Sequence, residues 1–428
     1  MEEFDIVIIG AGVAGLACAA QIGKKTPDIR LAIIEAQDEV GGRACSIDVG
    51  GFRVDAGAGW VHGVQGNPLI EDGILEAQDL VNCSEDNIWT AGPRASDSSN
   101  WHPSTEESTK WLTRMDRLSE SGNGDLTIDL LSALQCPDEE AWSKSEMRFL
   151  NGMELWFGAH AKDLCPLEWS RDARLGDFPG PHAVVIKGMS LVAERLLAKV
   201  GGRCSIILST SVVGVSEKDS RIDLQCETRV GDSVEHRHIC ARWLVCTVPL
   251  GALQQQNISI SPALPQQLTD AIGRLRMSLY CKCFIVVEEN FARSLFTWTW
   301  TDHAVFPLVF NYWHLKSIPV LLCSSIVDGI GSMSDRDVVN AAASALDIEL
   351  AQIVASHVTR WHASLGFHGS YSFTPVGCDF TEVEAFRETM AGRRFVFAGE
   401  HTHDEHQGAV HGAYLSGKDA AERILECI

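Results

Sequence analysis

A glycine-rich turn close to the N-terminus carries the first pattern with chemical meaning. Gly10, Gly12 and Gly15 follow an apolar, β-rich run, and after an Ala-rich stretch typical of a helix a second apolar run ends at Glu35. The glycines permit a tight turn, a close approach of pyrophosphate to the backbone and close helix–strand packing. The helix start offers N–H groups to phosphate, and Glu35 has the spacing of an acid that binds a ribose hydroxyl. The pattern predicts a dinucleotide site, with a purely structural turn as the alternative.

The acid and the residues after it narrow the type of dinucleotide. A carboxylate at the ribose argues against a 2′-phosphate and therefore against NADP, whereas the glycine spacing alone fits both FAD and NAD. Gly41 and Gly42 let the backbone fold back over a pyrophosphate, and Arg43 can offer its guanidinium to phosphate oxygens. A surface ion pair is the alternative for Arg43.

A lysine and a histidine are the main candidates for chemistry outside this turn. Lys282 stands inside an apolar run that predicts a strand, where a lysine is costly unless its amine meets a polar partner. The alternative is an edge strand whose lysine faces solvent. His62 follows the small residues Gly57-Ala58-Gly59, which let the backbone lie close to a flat ligand. A hydrogen-bonded structural role is the alternative for His62.

The C-terminal part again combines a strand, an acid and a helix. Phe395–Phe397 predicts a strand that leads to Gly399 and Glu400, and a helix is predicted to begin near Val410. The start of that helix can stabilise negative charge on a ligand. The two ends of the chain are therefore expected to complete one sheet and to bind one ligand.

These motifs resemble those of the flavin amine oxidase family. The resemblance rests on Glu35 followed by Gly41-Gly42-Arg43, on Trp60-Val61-His62-Gly63, which is most similar to the polyamine oxidase branch, and on the run from Arg394 to Gly417. It is strong over residues 4–67 and 391–425 and thin over residues 76–199.

The resemblance implies FAD as the cofactor and gives individual residues a role. Lys282 would bond through water to flavin N5, Tyr371 would form one wall of an amine-binding cage, and His62 would lie in the catalytic tunnel. No C-x-x-C pair occurs, and no metal site is expected. The residues expected to bind FAD are Gly10, Gly12, Gly15, Glu35, Gly42, Arg43, Gly57, Ala58, Gly59, Trp60, Val212, Trp361, Gly399, Glu400, Ala409 and Val410.

Ala409 departs from the family pattern. Many amine oxidases have a second cage aromatic directly after the glycine that matches Gly408. A small residue in this place predicts a wider site.

Charge and hydropathy limit the partners. The chain has 35 Lys and Arg against 57 Asp and Glu, a net charge of −22, which disfavours nucleic acid as a ligand. An acidic surface fits a small cationic amine as substrate, although solubility alone also explains it. No run of about 18 uncharged apolar residues predicts a membrane span, and the acidic start predicts a cytoplasmic protein without a signal peptide.

The length of 428 residues predicts roughly two to three domains, and the resemblance implies two, each built from separate segments. Pieces rich in Ser, Gly and Asp near residues 94–108 and 119–125 predict surface loops. The expected class is α/β, a two-domain flavin amine oxidase-like fold with a Rossmann-type dinucleotide-binding FAD domain and a substrate domain of mixed sheet and helices. The FAD domain is expected to comprise residues 1–75, 200–255 and 365–428, and the substrate domain residues 76–199 and 256–364.

The resemblance implies oxidation of a C–N bond of a polyamine, with hydride transfer to FAD and reduction of O2 to H2O2. The polyamine would be spermine, spermidine or an acetylated form, and candidates for binding its distal ammonium are Glu168, Asp172 and Asp177. An oxidase of L-amino acids or aromatic monoamines is one alternative; Arg171 or Arg174 could then hold a substrate carboxylate. A non-catalytic flavin-binding scaffold is the other.

Ser370 predicts that the flavin is not covalently attached. In the monoamine oxidases the residue before the matching aromatic is a cysteine joined to the flavin, and here that residue is Ser370. We expect acid precipitation of the purified protein to release the flavin into the supernatant. Flavin that stays with the pellet would contradict this prediction.

Overall fold

The computed structural model describes residues 2–83, 90–91, 126–135, 142–166, 178–201, 204–301, 303–364, 366–388 and 393–428. The loops expected near residues 94–108 and 119–125 lie outside the described residues. So do the candidate anionic residues Glu168, Asp172 and Asp177 and the candidate cations Arg171 and Arg174. Within the described part, no helix is long and apolar enough to cross a membrane.

An eight-stranded sheet forms the larger half of the molecule. Five of its strands run parallel to one another. At the centre of the sheet both faces are buried, and such strands are apolar without alternation, as residues 6–9 are. The long strand Ser233–Cys246 pairs first with an antiparallel neighbour and then with Phe395–Phe397. In spatial order the strands are Ser259–Ser261, Thr210–Lys218, Arg221–Val230, Ser233–Cys246, Glu2–Ile9, Leu31–Ile34 and Cys204–Ile207, with Phe395–Phe397 beside Ser233–Cys246.

Helices cover both faces of this sheet. Ile6 and Ile8 pack toward the first and last helices, whereas Val7 and Ile9 face the opposite cluster with Phe386. Alternate residues of a strand point to opposite faces, so one apolar run supplies both cores. The described helices are Val13–Lys25, Pro68–Glu71, Leu130–Leu134, Lys144–Phe157, Ser190–Lys199, Leu250–Gln254, Gln266–Arg274, Glu289–Ser294, Trp313–Lys316, Asp335–Ala345, Thr381–Glu388 and Val410–Leu425.

A second, mainly antiparallel sheet of six strands builds the other half. Its strand Cys281–Val286 pairs on both sides, with Val320–Ser325 and with Ala355–Val358. The alternative of an edge strand at Lys282 is therefore wrong. In spatial order the strands are Ala355–Val358, Cys281–Val286, Val320–Ser325, Leu308–Asn311, Trp298–Trp300 and Thr90–Ala91. Three ribbons complete the strands: Ser46–Val49 with Phe52–Asp55, Leu80–Asn82 with Ala183–Val185, and Arg276–Met277 with Ser372–Phe373.

The two ends of the chain meet, as the motifs predict. The strand Phe395–Phe397 joins the sheet that Glu2–Ile9 helps to form. The first turn packs tightly, since a methyl group on Gly15 would lie 2.0 Å from the carbonyl oxygen of Gly10. Arg43 Nη1 donates to Glu400 Oε1 over 2.8 Å. This ion pair ties the N-terminal loop to the C-terminal return.

Glu400 makes the stability of the fold dependent on pH. Burial alone would raise the pKa of Glu400, but Arg43, His401 and a hydrogen bond from Ser372 outweigh burial and lower it below the ordinary value of 4.5. The carboxylate therefore stabilises the fold fully above pH 4.5, and the contribution disappears as the pH falls through the lower folded value.

We expect Glu400→Gln to lose about 2 kcal/mol of unfolding free energy at neutral pH, because charged hydrogen bonds are replaced by weaker ones. The difference from the wild type should shrink as the pH is lowered below the ordinary carboxyl range. Denaturant unfolding of the cofactor-free protein at a series of pH values measures it. A difference that stays constant down to the acid limit would contradict the assignment.

Candidate active site

A cavity of about 600 Å³ lies where the glycine-rich turn, the loop at residues 56–62, the second sheet and the C-terminal return meet. Gly15 supports the turn from behind and is the one residue expected at the site that does not line the cavity. The others all do: Gly10, Gly12, Glu35, Gly42, Arg43, Gly57, Ala58, Gly59, Trp60, His62, Val212, Lys282, Trp361, Tyr371, Gly399, Glu400, Ala409 and Val410.

One end of the cavity has the features of a dinucleotide cradle. Gly12 precedes the helix Val13–Lys25, no described side chain caps that helix, and a methyl group on Gly12 would meet nothing within 4 Å. The free N–H groups of the first turn are thus open to an anion. Glu35 is buried and accepts the Ala11 N–H over 2.6 Å, and burial raises the pKa of its carboxyl. Arg229 also lines this end and has no motif that would have marked it.

Arg43 is held by protein groups at one of its nitrogens. Its Nη1 donates to the carbonyl of Ser370 over 2.9 Å and to Glu400. The other guanidinium nitrogens donate to no protein group among the described residues. Because Arg43 lines the cavity, those nitrogens can serve phosphate oxygens.

Glu400 organises the wall beside Arg43. Its Oε2 accepts the Ser372 hydroxyl over 2.6 Å and the Gly408 N–H over 2.9 Å. These bonds fix the loop that leads to Ala409, the residue before the helix Val410–Leu425. No described side chain caps this second helix start either, and Val410 lines the cavity.

Lys282 brings a buried amine into the same cavity. Its Nζ donates to the backbone carbonyls of Asp55 over 2.9 Å and Gly57 over 2.6 Å. Burial lowers the pKa of Lys282 to about 8; Asp55 and Cys45 oppose this effect and Lys316 adds to it. The amine therefore changes its charge near neutral pH.

Aromatic rings form the walls around Lys282. The Tyr371 hydroxyl donates to the carbonyl of Leu155 over 3.2 Å, which fixes the ring against the end of the helix Lys144–Phe157. Tyr280 lies 6.0 Å from Tyr371 between ring centroids, with the planes at 47°. Sequence reasoning missed Tyr280, although it directly precedes the strand Cys281–Val286 and its spacing of two residues from Lys282 is that of side chains on one side of an extended chain.

Three tryptophans belong to these walls as well. Trp60 stacks on Trp298, with ring centroids 5.6 Å apart and planes at 17°. The indole of Trp361 donates to the carbonyl of Ala56 over 3.1 Å and so holds the loop at residues 56–62. Trp298 carries no motif, and only the packing of the second sheet brings it to the cavity.

His62 lies among other rings rather than alone. Its ring centroid is 4.7 Å from that of Trp156 and 5.6 Å from that of His182, and all three residues line the cavity. His411 follows behind at 6.3 Å. Burial, followed by the neighbouring histidines, lowers the pKa of His411 to about 2, so this ring is neutral at physiological pH.

The residues present fit FAD. Two uncapped helix starts, at Gly12 and Ala409, open onto one cavity. The first provides N–H groups for a pyrophosphate, and the second can face a ring system that gains negative charge on reduction. Arg43 lines the same cavity with guanidinium nitrogens that have no protein partner among the described residues, and the buried carboxylate of Glu35 also lines it and can accept a ligand hydroxyl.

Comparisons with known proteins agree with this geometry. The family model described as flavin containing amine oxidoreductase matches residues 13–425. The chain is 25% identical to polyamine oxidase 1 of Oryza sativa subsp. japonica, over 98% of this chain and 97% of that protein. It is 26% identical to polyamine oxidase 2 of Arabidopsis thaliana, over 99% of this chain and 89% of that protein.

The fold also matches a solved structure. Putrescine oxidase with bound putrescine superposes with a TM-score of 0.77, at 20% identity and over 99% of both chains. The predicted α/β fold class is thereby confirmed, and the cofactor is FAD, bound noncovalently. The chain belongs to the family of flavin-containing amine oxidoreductases.

Proposed function

We propose that the protein oxidises a C–N bond of a polyamine, namely spermine, spermidine or an acetylated form, and releases H2O2. The observation that carries the proposal is the buried Lys282 amine, which opens into the same aromatic-walled cavity as the cofactor cradle. The similarity to plant polyamine oxidases supports the choice of substrate class. FAD, when bound, supplies the acceptor for the hydride and passes the electrons to O2.

Lys282 is suited to hold a water molecule at the reacting end of the cavity. Two backbone carbonyls fix its amine, and a group with a pKa of about 8 can exchange a proton near neutral pH. In its neutral form the amine does not repel a cationic substrate. In its charged form it donates a hydrogen bond without accepting one.

Tyr371 and Tyr280 are suited to position the substrate amine. Ring faces attract a cationic or partly charged nitrogen and exclude water from the slot between them. The described carboxylates that line the cavity are Glu35 and Glu400, and both serve the cofactor end. His62 and His182 also line the cavity and can orient an amine by hydrogen bonds.

An aromatic monoamine is the second candidate substrate. The observation in its favour is the apolar character of the wall around Lys282, which includes Tyr280, Trp298 and Phe310. Such a wall can also bury the methylene segments of a polyamine, because these are apolar between the nitrogens.

A substrate panel separates the candidates. We expect the FAD-loaded protein to produce H2O2 from spermine, spermidine or an N-acetylated form, with kcat/KM at least about 10-fold higher than for aromatic monoamines or L-amino acids, because added apolar contact gives about that factor. A coupled peroxide assay measures the rates. Faster turnover of a monoamine or an amino acid would overturn the polyamine assignment. Absence of H2O2 production from every compound, with FAD bound, would favour a non-catalytic flavin-binding scaffold.

Lys282→Met tests the mechanism. We expect the variant to bind FAD but to oxidise the best amine about 100-fold more slowly, because the group that holds water and exchanges the proton is gone. Stopped-flow measurements of the reductive and oxidative half-reactions show which half slows. The matched control is Lys218→Met, an exposed lysine on the strand Thr210–Lys218. Wild-type rates for Lys282→Met in both half-reactions would remove Lys282 from the mechanism.

A further inference from the structure

A buried pair of opposite charges lies directly behind the wall that carries Lys282. Asp55 Oδ2 and Lys316 Nζ are 4.0 Å apart, Asp55 has no exposed surface, and 4% of the Lys316 side chain is exposed. Neither atom has a hydrogen-bond partner among the described residues. Neither residue lines the cavity. The pair therefore has no direct contact with a ligand.

The pair is fixed from both sides. The other carboxylate oxygen of Asp55 accepts the Ser46 hydroxyl over 2.6 Å and the Met189 N–H over 2.7 Å. Lys316 ends the helix Trp313–Lys316 and places its Nζ 5.5 Å from the ring centroid of Tyr312. The backbone carbonyl of Asp55 holds the Lys282 amine. One residue thus supplies both a hydrogen bond and a nearby charge to Lys282.

Among the described residues, the other ionisable groups close to Lys282 and this pair are neutral. Burial raises the pKa of the Cys45 thiol to about 11. Burial also raises the pKa of Tyr280 to about 12 and that of Tyr312 well above its usual range. Asp55 and Lys316 are therefore the charges that Lys282 meets from the elements packed around it.

Stability alone is a poor explanation for this pair. Removing two charges from water costs free energy that their attraction offsets only when good hydrogen bonds satisfy both groups. Here the two facing atoms lie 4.0 Å apart without such bonds.

We propose that Asp55 and Lys316 are positioning residues that together set the charge of the Lys282 amine. Asp55 favours the ammonium form, and Lys316 opposes it by neutralising Asp55 and by repelling a second positive charge. The inference deepens the proposed function and rests on it for its consequence. When both the ammonium and the neutral form of Lys282 are populated, its amine can exchange a proton in the cavity, and the neutral form does not repel a cationic amine.

The test is the pKa of Lys282 measured by NMR. Lysines labelled with 13C at Cε are titrated in the FAD-loaded protein, and the Lys282 signal is assigned by its loss in Lys282→Met. The wild-type midpoint is expected at about 8. Lys316→Met should raise the titration midpoint of Lys282 by about 1 pH unit or more, and Asp55→Asn should lower it. A charge at this distance changes the pKa of a neighbouring group by about that amount.

Two further variants keep the test decisive. Lys316→Arg retains the positive charge and should leave the midpoint close to that of the wild type. Asp55→Asn combined with Lys316→Met removes both charges and should give a higher midpoint than Asp55→Asn alone. This second comparison applies even if Lys316→Met, which leaves Asp55 unneutralised, does not fold. A midpoint that moves in the same direction in Lys316→Met and Asp55→Asn, or in neither, overturns the proposal.

The readout is independent of the substrate. Opposite shifts in a protein that oxidises no amine would support the charge-setting role and contradict the proposed function. In an active protein, Lys316→Met should raise KM for a cationic amine at pH values where wild-type Lys282 is largely neutral. A loss of fold or packing alone would not reproduce opposite shifts of one amine.

Discussion

The carboxylate of Glu400 joins three segments that are far apart in the chain. It accepts bonds from Arg43 in the N-terminal loop, from Ser372 beside the aromatic wall and from Gly408 before the last helix. Its ionised form is required, since a neutral carboxyl cannot accept all of these bonds. The cofactor cradle and the wall of the proposed substrate slot are therefore held by one buried anion. The rest of the site depends on this junction.

Burial has different consequences for the charges in this region. Glu400 stays ionised because Arg43, His401 and Ser372 compensate for its desolvation. Burial lowers the pKa of Lys282 to about 8, since its two carbonyl partners and the nearby Asp55 carboxylate do not offset the desolvation. His411 has no compensating anion among its described neighbours and is neutral. The number and charge of the partners, rather than depth alone, decide which groups can titrate near neutral pH.

The parts of the site that were predictable from sequence are those whose partners are close along the chain. The turn from Gly10 to Gly15 follows from glycine spacing between apolar runs, and the C-terminal strand and helix follow from Phe395–Phe397 and the residues after them. The roles given to individual site residues remain predictions. Tyr280 had a signal, its alternation with Lys282, but that signal has meaning only once the strand and its buried face are known.

Residues brought in by packing between distant segments gave no signal. Trp298 stacks on Trp60 from the second sheet, and Lys316 meets Asp55 from the helix Trp313–Lys316. Their types and spacing are ordinary for core and surface positions. The edge-strand alternative for Lys282 has the same cause, because an apolar run in the sequence is compatible with a strand that has one neighbouring strand or two. Pairing on both sides settles it.

The pairing register of the strand Cys281–Val286 decides which side chains face the cavity. Lys282 pairs with Ser324, and Cys283 pairs with Cys323 and Val358 on its two sides. Tyr280 and Lys282 alternate on one side of the chain, so a shift by one residue would turn both away and present Cys281 and Cys283 instead. Tyr280 stands beside Tyr371 in the wall of the cavity, with 6.0 Å between the ring centroids. The backbone N–H of Tyr280, directly before the strand Cys281–Val286, donates to the hydroxyls of Ser278 and Ser370. The strand and the segment that carries Tyr371 therefore hold this wall together.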